Sequence, residues 1–236
     1  MRPSQISLLA AIGFAAAVLV GVAAWVAFSA TYAGGIPEAA WKEQRTRSVA
    51  LEGFTGVEVR GQWEVTIERG DAWTVELSYP AAVEDRASAE LEDRMLVIGS
   101  RLNGFRTGFG RGPRMSARIT MPSLETLQIS GAAHLEFSGF DGTALTVRAS
   151  GATDLTGRSS RYRDVQLTLS GAGKLDLRDV IATNANVNLS GVGSIQLQLD
   201  GGVLSGNASG AGSIDYSGTV SEERIVKSGA VSVKRR

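Results

Sequence analysis

Polar and apolar residues alternate with a period of two through most of residues 54–236. This is the spacing of half-buried strands, whose successive side chains point to opposite faces. The clearest alternation surrounds a Ser-Gly pair that returns at Ser130-Gly131, Ser150-Gly151, Ser170-Gly171, Ser190-Gly191, Ser209-Gly210 and Ser228-Gly229, at spacings of 20, 20, 20, 19 and 19 residues. Three residues before each Ser stand Leu127, Val147, Leu167, Val187, Gly206 and Ile225. Five residues after it stand Leu135, Leu155, Leu175, Ile195, Ile214 and Val233. The positions between are polar or charged, as at Lys174, Asp176 and Arg178. Each repeat therefore predicts two half-buried strands joined by a glycine turn.

Equivalent positions are alike from copy to copy, and this separates two arrangements. Serial hairpins pair different positions and need no such likeness. Coils stacked in parallel about 4.8 Å apart set each residue over its own counterpart. The pattern predicts an all-β fold, a parallel β-helix with one coil per ~20 residues, right-handed by the general crossover preference. A hexapeptide-repeat solenoid does not fit a period of 19–20 with one Gly corner per copy. Gly at the corner permits φ > 0 and close backbone approach, and the Ser hydroxyl can bond the turn backbone.

Residues 51–122 lack the Ser-Gly pair and read as an irregular β-rich cap or first coils, ahead of the repeats at 123–236. Phe54, Val57, Val59, Trp63, Val65 and Ile67 lead to Arg69-Gly70-Asp71, where a hairpin turn sends the chain into Trp73, Val75 and Leu77. Pro80–Ala89 reads as a loop or short helical turn. Leu91, Leu96 and Ile98 read as one strand, and Ala117, Ile119 and Met121 as the next. Lys234-Arg235-Arg236 place charge on the final edge, which discourages edge-to-edge association.

The N-terminus has a different pattern. Ile6–Phe28 is an apolar stretch of 23 residues, and no charge stands between Arg2 and Glu38. As a helix it would span about 34 Å, enough for a ~30 Å hydrocarbon core. Arg2 and the terminal amine keep the short head in the cytoplasm. Residues 1–33 read as a membrane anchor, or as a signal peptide cleaved near Thr31-Tyr32-Ala33, and residues 34–50 as a linker. Both readings place residues 40–236 outside the cytoplasm.

Composition narrows the chemistry. The chain has 24 Lys+Arg and 24 Asp+Glu, so it is neutral overall, and nucleic acid is not an expected partner. Without Cys there is no disulfide, thiolate metal site or cysteine nucleophile, and the single His134 permits no multi-histidine site. No cofactor and no metal are expected.

Several phrases resemble the head GIN domain family of bacterial envelope proteins. They are Phe54-Thr55-Gly56-Val57-Glu58-Val59, Val65-Thr66-Ile67-Glu68-Arg69-Gly70-Asp71, Met121-Pro122-Ser123-Leu124-Glu125-Thr126-Leu127 and the Ser-Gly-x-Gly copies. The resemblance covers residues 52–234. It implies a β-helical, exported protein with an adhesin-like role and no established catalytic residues. The second Gly is replaced by Ala133, Thr153 and Val231 in three copies.

One segment departs from the repeat. Residues 99–118 hold Arg101, Arg106, Arg111, Arg114 and Arg118 with several Gly and no acid. The first four are candidates to grip an anion by bidentate guanidinium contacts. Asp154, Asp176 and Asp215 recur at outward positions, but their offsets from the Ser differ, and they read as a solvated face. His134 reads as an exposed coil position. Arg69-Gly70-Asp71 matches an integrin-binding tripeptide but sits where turn chemistry explains it. No Gly-x-Ser-x-Gly elbow and no complete phosphate loop are present. The expected function is structural or adhesive, without catalysis, toward an envelope glycan, lipid or protein, with self-association as a further possibility. An envelope sensor or accessory protein using the Arg segment is the alternative, and a polysaccharide-active enzyme is a distant third.

Overall fold

A computed structural model describes residues 42–100 and 115–236. Among these residues no helix is long and apolar enough to cross a membrane; the apolar stretch at 6–28 lies outside them.

The chain enters on β1 (Gln44–Val49), within the range expected as linker, and continues into β2 (Gly56–Arg69). It returns on β3 (Thr74–Pro80), makes a 3-10 turn at Ala81–Arg86, and forms β4 (Ala87–Glu92), β5 (Met95–Ser100) and β6 (Ser116–Met121). β5 lies parallel on the first half of β2, with Leu96 beside Val57 and Ile98 beside Val59. β6 lies parallel on the second half, with Ala117 beside Val65 and Ile119 beside Ile67. β5 and β6 therefore stack on β2 as two sides of one coil. Antiparallel strands close this end: β4 on β5, β3 on β6, and β1 on β3.

Two local expectations are corrected. Arg69-Gly70-Asp71 does not make a hairpin, because β6 lies between β2 and β3. The Gly70 N–H donates to the Met121 carbonyl at 3.1 Å, so the turn wraps over the end of β6. Leu91 and Leu96 belong to two strands, not one. Asp93 (φ 45°) and Arg94 (φ 64°) form the two-residue turn between them. Both central residues have positive φ, as a primed hairpin turn requires. Without the usual Asn-Gly or Asp-Gly, the sequence did not signal it.

From β2 onward the chain is a β-solenoid of about six turns, as expected. The strands are β7 (Thr126–Ser138), β8 (Asp141–Arg158), β9 (Ser160–Leu169), β10 (Ala172–Leu189), β11 (Val192–Asp200), β12 (Val203–Ala208), β13 (Ala211–Thr219), β14 (Glu222–Lys227) and β15 (Ala230–Arg235). All their pairings with one another, and that of β7 with β2, are parallel. Serial hairpins are thereby excluded.

Each full coil has three sides. The residues before Ser-Gly form the first and those after it the second. A third run, not expected from the sequence, closes the coil: Val180 lies beside Ser160, and Ala182 beside Tyr162. Its inward positions mix Phe140 and Val180 with Gly142 and Ser160, so the apolar alternation is broken. Tyr162 explains the mixture. Its ring fills the space that a side chain at Gly142 would need, and its hydroxyl donates to the Leu124 carbonyl at 3.0 Å. Burial pushes its phenol well above the ordinary range.

The interior is built from ladders of like residues. Val57, Leu127, Val147, Leu167 and Val187 line the first side. Val65, Leu135, Leu155, Leu175, Ile195 and Ile214 line the second, all essentially inaccessible to solvent. Each such burial stabilises by about 1.5–3 kcal/mol. Phe137 is accommodated because Gly157 lies over it: a Cβ there would come within 2.5 Å of the ring. The corner serines act between coils. The Ser150 hydroxyl donates to the Ile129 carbonyl at 3.3 Å and that of Ser170 to Ala149 at 3.4 Å, each in the preceding coil and not in its own turn.

Candidate binding faces

Arg101, Arg106, Arg111 and Arg114 lie outside the described residues. Their flanks are placed. The chain leaves β5 at Ser100, whose Oγ would lie 2.3 Å from a Cβ on Gly61. Gly61 is the β2 counterpart of the Gly131 corner. The described flanks, Ser100 and Ser116, thus meet β2 on either side of the position where the other copies turn through Ser-Gly.

The outer surface of the second side is charged. His134, Asp154, Lys174, Ser194 and Ser213 succeed one another along one row. Glu136, Thr156, Asp176, Gln196, Asp215 and Lys234 form the next. Asp154 therefore stands in a different row from the other two aspartates. It is exposed, as is His134, whose Nδ1 lies 3.3 Å from its carboxylate. Among the described residues no group of three or more Asp, Glu and His side chains is placed to hold a metal ion.

Asp176 and Asp215 correct the expectation of a solvated face, since each is only 7% exposed. Neighbours in the flat stack cover them. Arg178 donates to Asp176 through Nε and Nη2 at 2.8 and 2.6 Å, and Lys174 Nζ donates at 2.9 Å. Asp215 accepts from Ser213 at 3.1 Å and from Arg236 at 3.4 Å. The Arg178 guanidinium, with help from Lys174, holds the Asp176 carboxyl well below the usual carboxylate range. An unfolded Asp titrates near 3.9. The folded state therefore binds fewer protons than the unfolded state below about pH 5, and this part of the stability is lost as pH falls. Asp176→Asn is expected to cost about 1–3 kcal/mol at neutral pH. It should also flatten the acid limb of a urea-unfolding series; an unchanged limb would remove Asp176 as its source.

The outer surface of the first side is different, and the sequence reading missed it. Thr126, Thr146, Gln166, Asn186 and Ser205 form one row. Gln128, Arg148, Thr168, Asn188 and Asn207 form the second. The corner residues Ser130, Ser150, Ser170, Ser190 and Ser209 form the third. Of these fifteen positions only Arg148 is charged, and all are partly or fully exposed. The signal was present two and four residues before each Ser, where the copies share polarity but not residue identity. Asn186 donates to Ser205 at 3.0 Å, Asn188 to Asn186 at 3.0 Å and Asn207 to Asn188 at 3.3 Å. At the margin, Ala144 lies beside Asp164, and Asp164 beside Asn184, which donates to it at 2.8 Å. A shallow groove opens there, lined by Gln166, Asn186, Ser205, Asp164, Ala144 and Val203.

The family model described as putative auto-transporter adhesin, head GIN domain, matches residues 53–220. The chain belongs to the head GIN domain family. That match spans the cap strands from β2 onward and nearly all of the solenoid, including both faces described above. No curated protein sequence matches the chain. Among solved structures, a putative adhesin from Bacteroides fragilis is 16% identical, with 83% of this chain and 98% of that one covered and a TM-score of 0.63. A putative adhesin from Parabacteroides merdae is 13% identical, covering 82% and 96%, with a TM-score of 0.45. A putative lipid binding protein from Parabacteroides distasonis is 16% identical, covering 81% and 97%, with a TM-score of 0.47. At these identities the first likeness is one of fold.

Proposed function

We propose that this head GIN domain protein is exported and adhesive. It presents the flat sides of its solenoid to a partner in or beyond the envelope and performs no catalysis. The observation that carries this is the neutral first side, a surface repeated over five coils. A repeated surface gathers many weak contacts, and avidity does the work that a single deep pocket does in an enzyme. The family description and the apolar stretch at 6–28 support export, with that stretch as anchor or as cleaved signal.

A second reading rests on the Arg segment. The sequence between Ser100 and Met115 holds four arginines and no acid, and Ser100 lies at the first corner. Under this reading the protein is an envelope sensor or accessory factor that binds an anionic lipid or glycan there.

Co-sedimentation of the full-length chain with intact cells and isolated envelopes, at low and high salt, separates the two. The adhesive reading expects binding that persists in high salt and survives Ser at Arg101, Arg106, Arg111 and Arg114. Binding that collapses with salt and with those substitutions would transfer the function to the Arg segment, because exposed charges are screened. Absence of binding to any fraction would sink both.

A further inference from the structure

We propose that the first side of the solenoid binds a neutral polysaccharide chain. The proposal rests on the adhesive reading above and specifies its partner. An anionic polymer or headgroup is gripped by clustered cations; from β7 to β12 the three rows carry one, Arg148, and the cations in register beyond them, Arg60 in β2 and Arg224 in β14, are each held by a carboxylate, Glu58 and Glu222. A protein interface is centred on aromatic and large apolar side chains; from β7 to β12 the rows carry none, and the exposed Val226 stands singly beyond them in β14. What they offer is hydroxyls and amides, each able to donate and accept hydrogen bonds. Sugar hydroxyls have the same dual capacity and no charge.

The side chains are already ordered. The bonds from Asn207 to Asn188, from Asn188 to Asn186 and from Asn186 to Ser205 fix the amides. Their rotamer freedom is lost on folding, so a ligand does not have to order them again. Gln166 is exposed and makes no side-chain hydrogen bond among the described residues, so its amide is open to a ligand. The groove beside it combines the polar walls of Gln166, Asn186 and Ser205 with the exposed methyl of Ala144 and part of Val203, and the Asp164 carboxylate stands at its edge. That combination suits a sugar ring, which has a polar rim and C–H faces. Coils repeat about every 4.8 Å, so a chain along the solenoid axis meets similar donors and acceptors at successive steps.

The test is affinity electrophoresis of the full-length chain through gels holding dextran, mannan or soluble starch. Alginate gels and phosphatidylglycerol vesicles serve as charged comparisons. At least one neutral polysaccharide should retard the chain, equally at low and high salt. Gln166→Ala combined with Asn186→Ala should weaken that retention about tenfold, as two lost neutral hydrogen bonds would. Glu136→Gln on the second side should leave it unchanged, and thermal melts confirm that the variants fold. No retardation by any neutral polysaccharide overturns the proposal, as does retention that salt abolishes or that the double variant keeps. If it fails while the chain still sediments with cells, the adhesive reading stands and only the partner is wrong. If the chain sediments with no fraction, both fall together.

Discussion

Gly151→Ala is expected to lower the unfolding free energy by about 3 kcal/mol, whereas Gly201→Ala should cost about 1 kcal/mol. Both glycines have positive φ, +115° at Gly151 and +93° at Gly201. The conformational strain of a side chain is therefore common to the two. They differ in what a Cβ would meet. At Gly201 nothing lies within 4 Å, while at Gly151 the Gly131 carbonyl oxygen lies 2.2 Å away. That atom is backbone inside a stacked corner and cannot move aside without shifting the preceding coil. The same obstruction recurs along the column, at 2.0 Å for Gly171 and 1.8 Å for Gly191. Close stacking, as well as turn conformation, thus explains why the corner keeps glycine. At roughly 2–4 °C per kcal/mol for a chain of this size, Gly151→Ala should melt about 10 °C below the parent. Equal melting temperatures for the two variants would refute the stacking account.

The repeat made the parallel solenoid legible because like residues at equal offsets have one economical arrangement. Leu135, Leu155 and Leu175 were already a ladder on paper, and they are one in space. Legibility ended where the cause lay between segments. Nothing around Arg69-Gly70-Asp71 announces that β6, some 50 residues on, separates β2 from β3. The third side was hidden because Tyr162 fills space that Gly142 leaves, so inward positions differ in size and polarity from coil to coil. Asp176 reads as outward, and it is outward in direction. Its burial comes from Lys174 and Arg178 folding over it, a property of neighbouring side chains and not of the alternation.

The candidate surfaces divide in the same way. The Arg segment stood out in the sequence through its composition. The neutral side did not, because Thr146, Gln166, Asn186 and Ser205 are unlike as letters and alike only as neutral hydrogen-bonding groups. Once the register places them in one row, the chemistry of the row becomes a property of the surface. It contrasts with the second side, where His134 faces Asp154 and Glu136 accepts from Arg158 at 2.6 Å. Charges there largely satisfy one another, whereas the first side presents neutral groups, each with hydrogen-bonding capacity beyond the bonds it makes to its neighbours.

Leu155→Ala is expected to cost about 3 kcal/mol and Val233→Ala about 1 kcal/mol, measured by urea unfolding of the full-length chain. Leu155 is fully buried between Leu135 and Leu175, so its truncation leaves a cavity that two packed coils cannot close. Val233 lies in the last strand beside Ile214 and is only partly buried, so water reaches the space it vacates. Position should affect cooperativity as well as cost. Coils of a solenoid contact only their neighbours, and stability is transmitted coil by coil. A weak end simply frays, and Val233→Ala should increase hydrogen exchange in β14 and β15 while leaving β7 and β8 protected. A weak centre interrupts the column. Leu155→Ala should therefore lower the urea midpoint and also reduce the slope of the transition, as the coils on either side begin to unfold separately. A lowered midpoint with an unchanged slope would show that the interior ladder couples the coils more tightly than neighbour contacts alone provide.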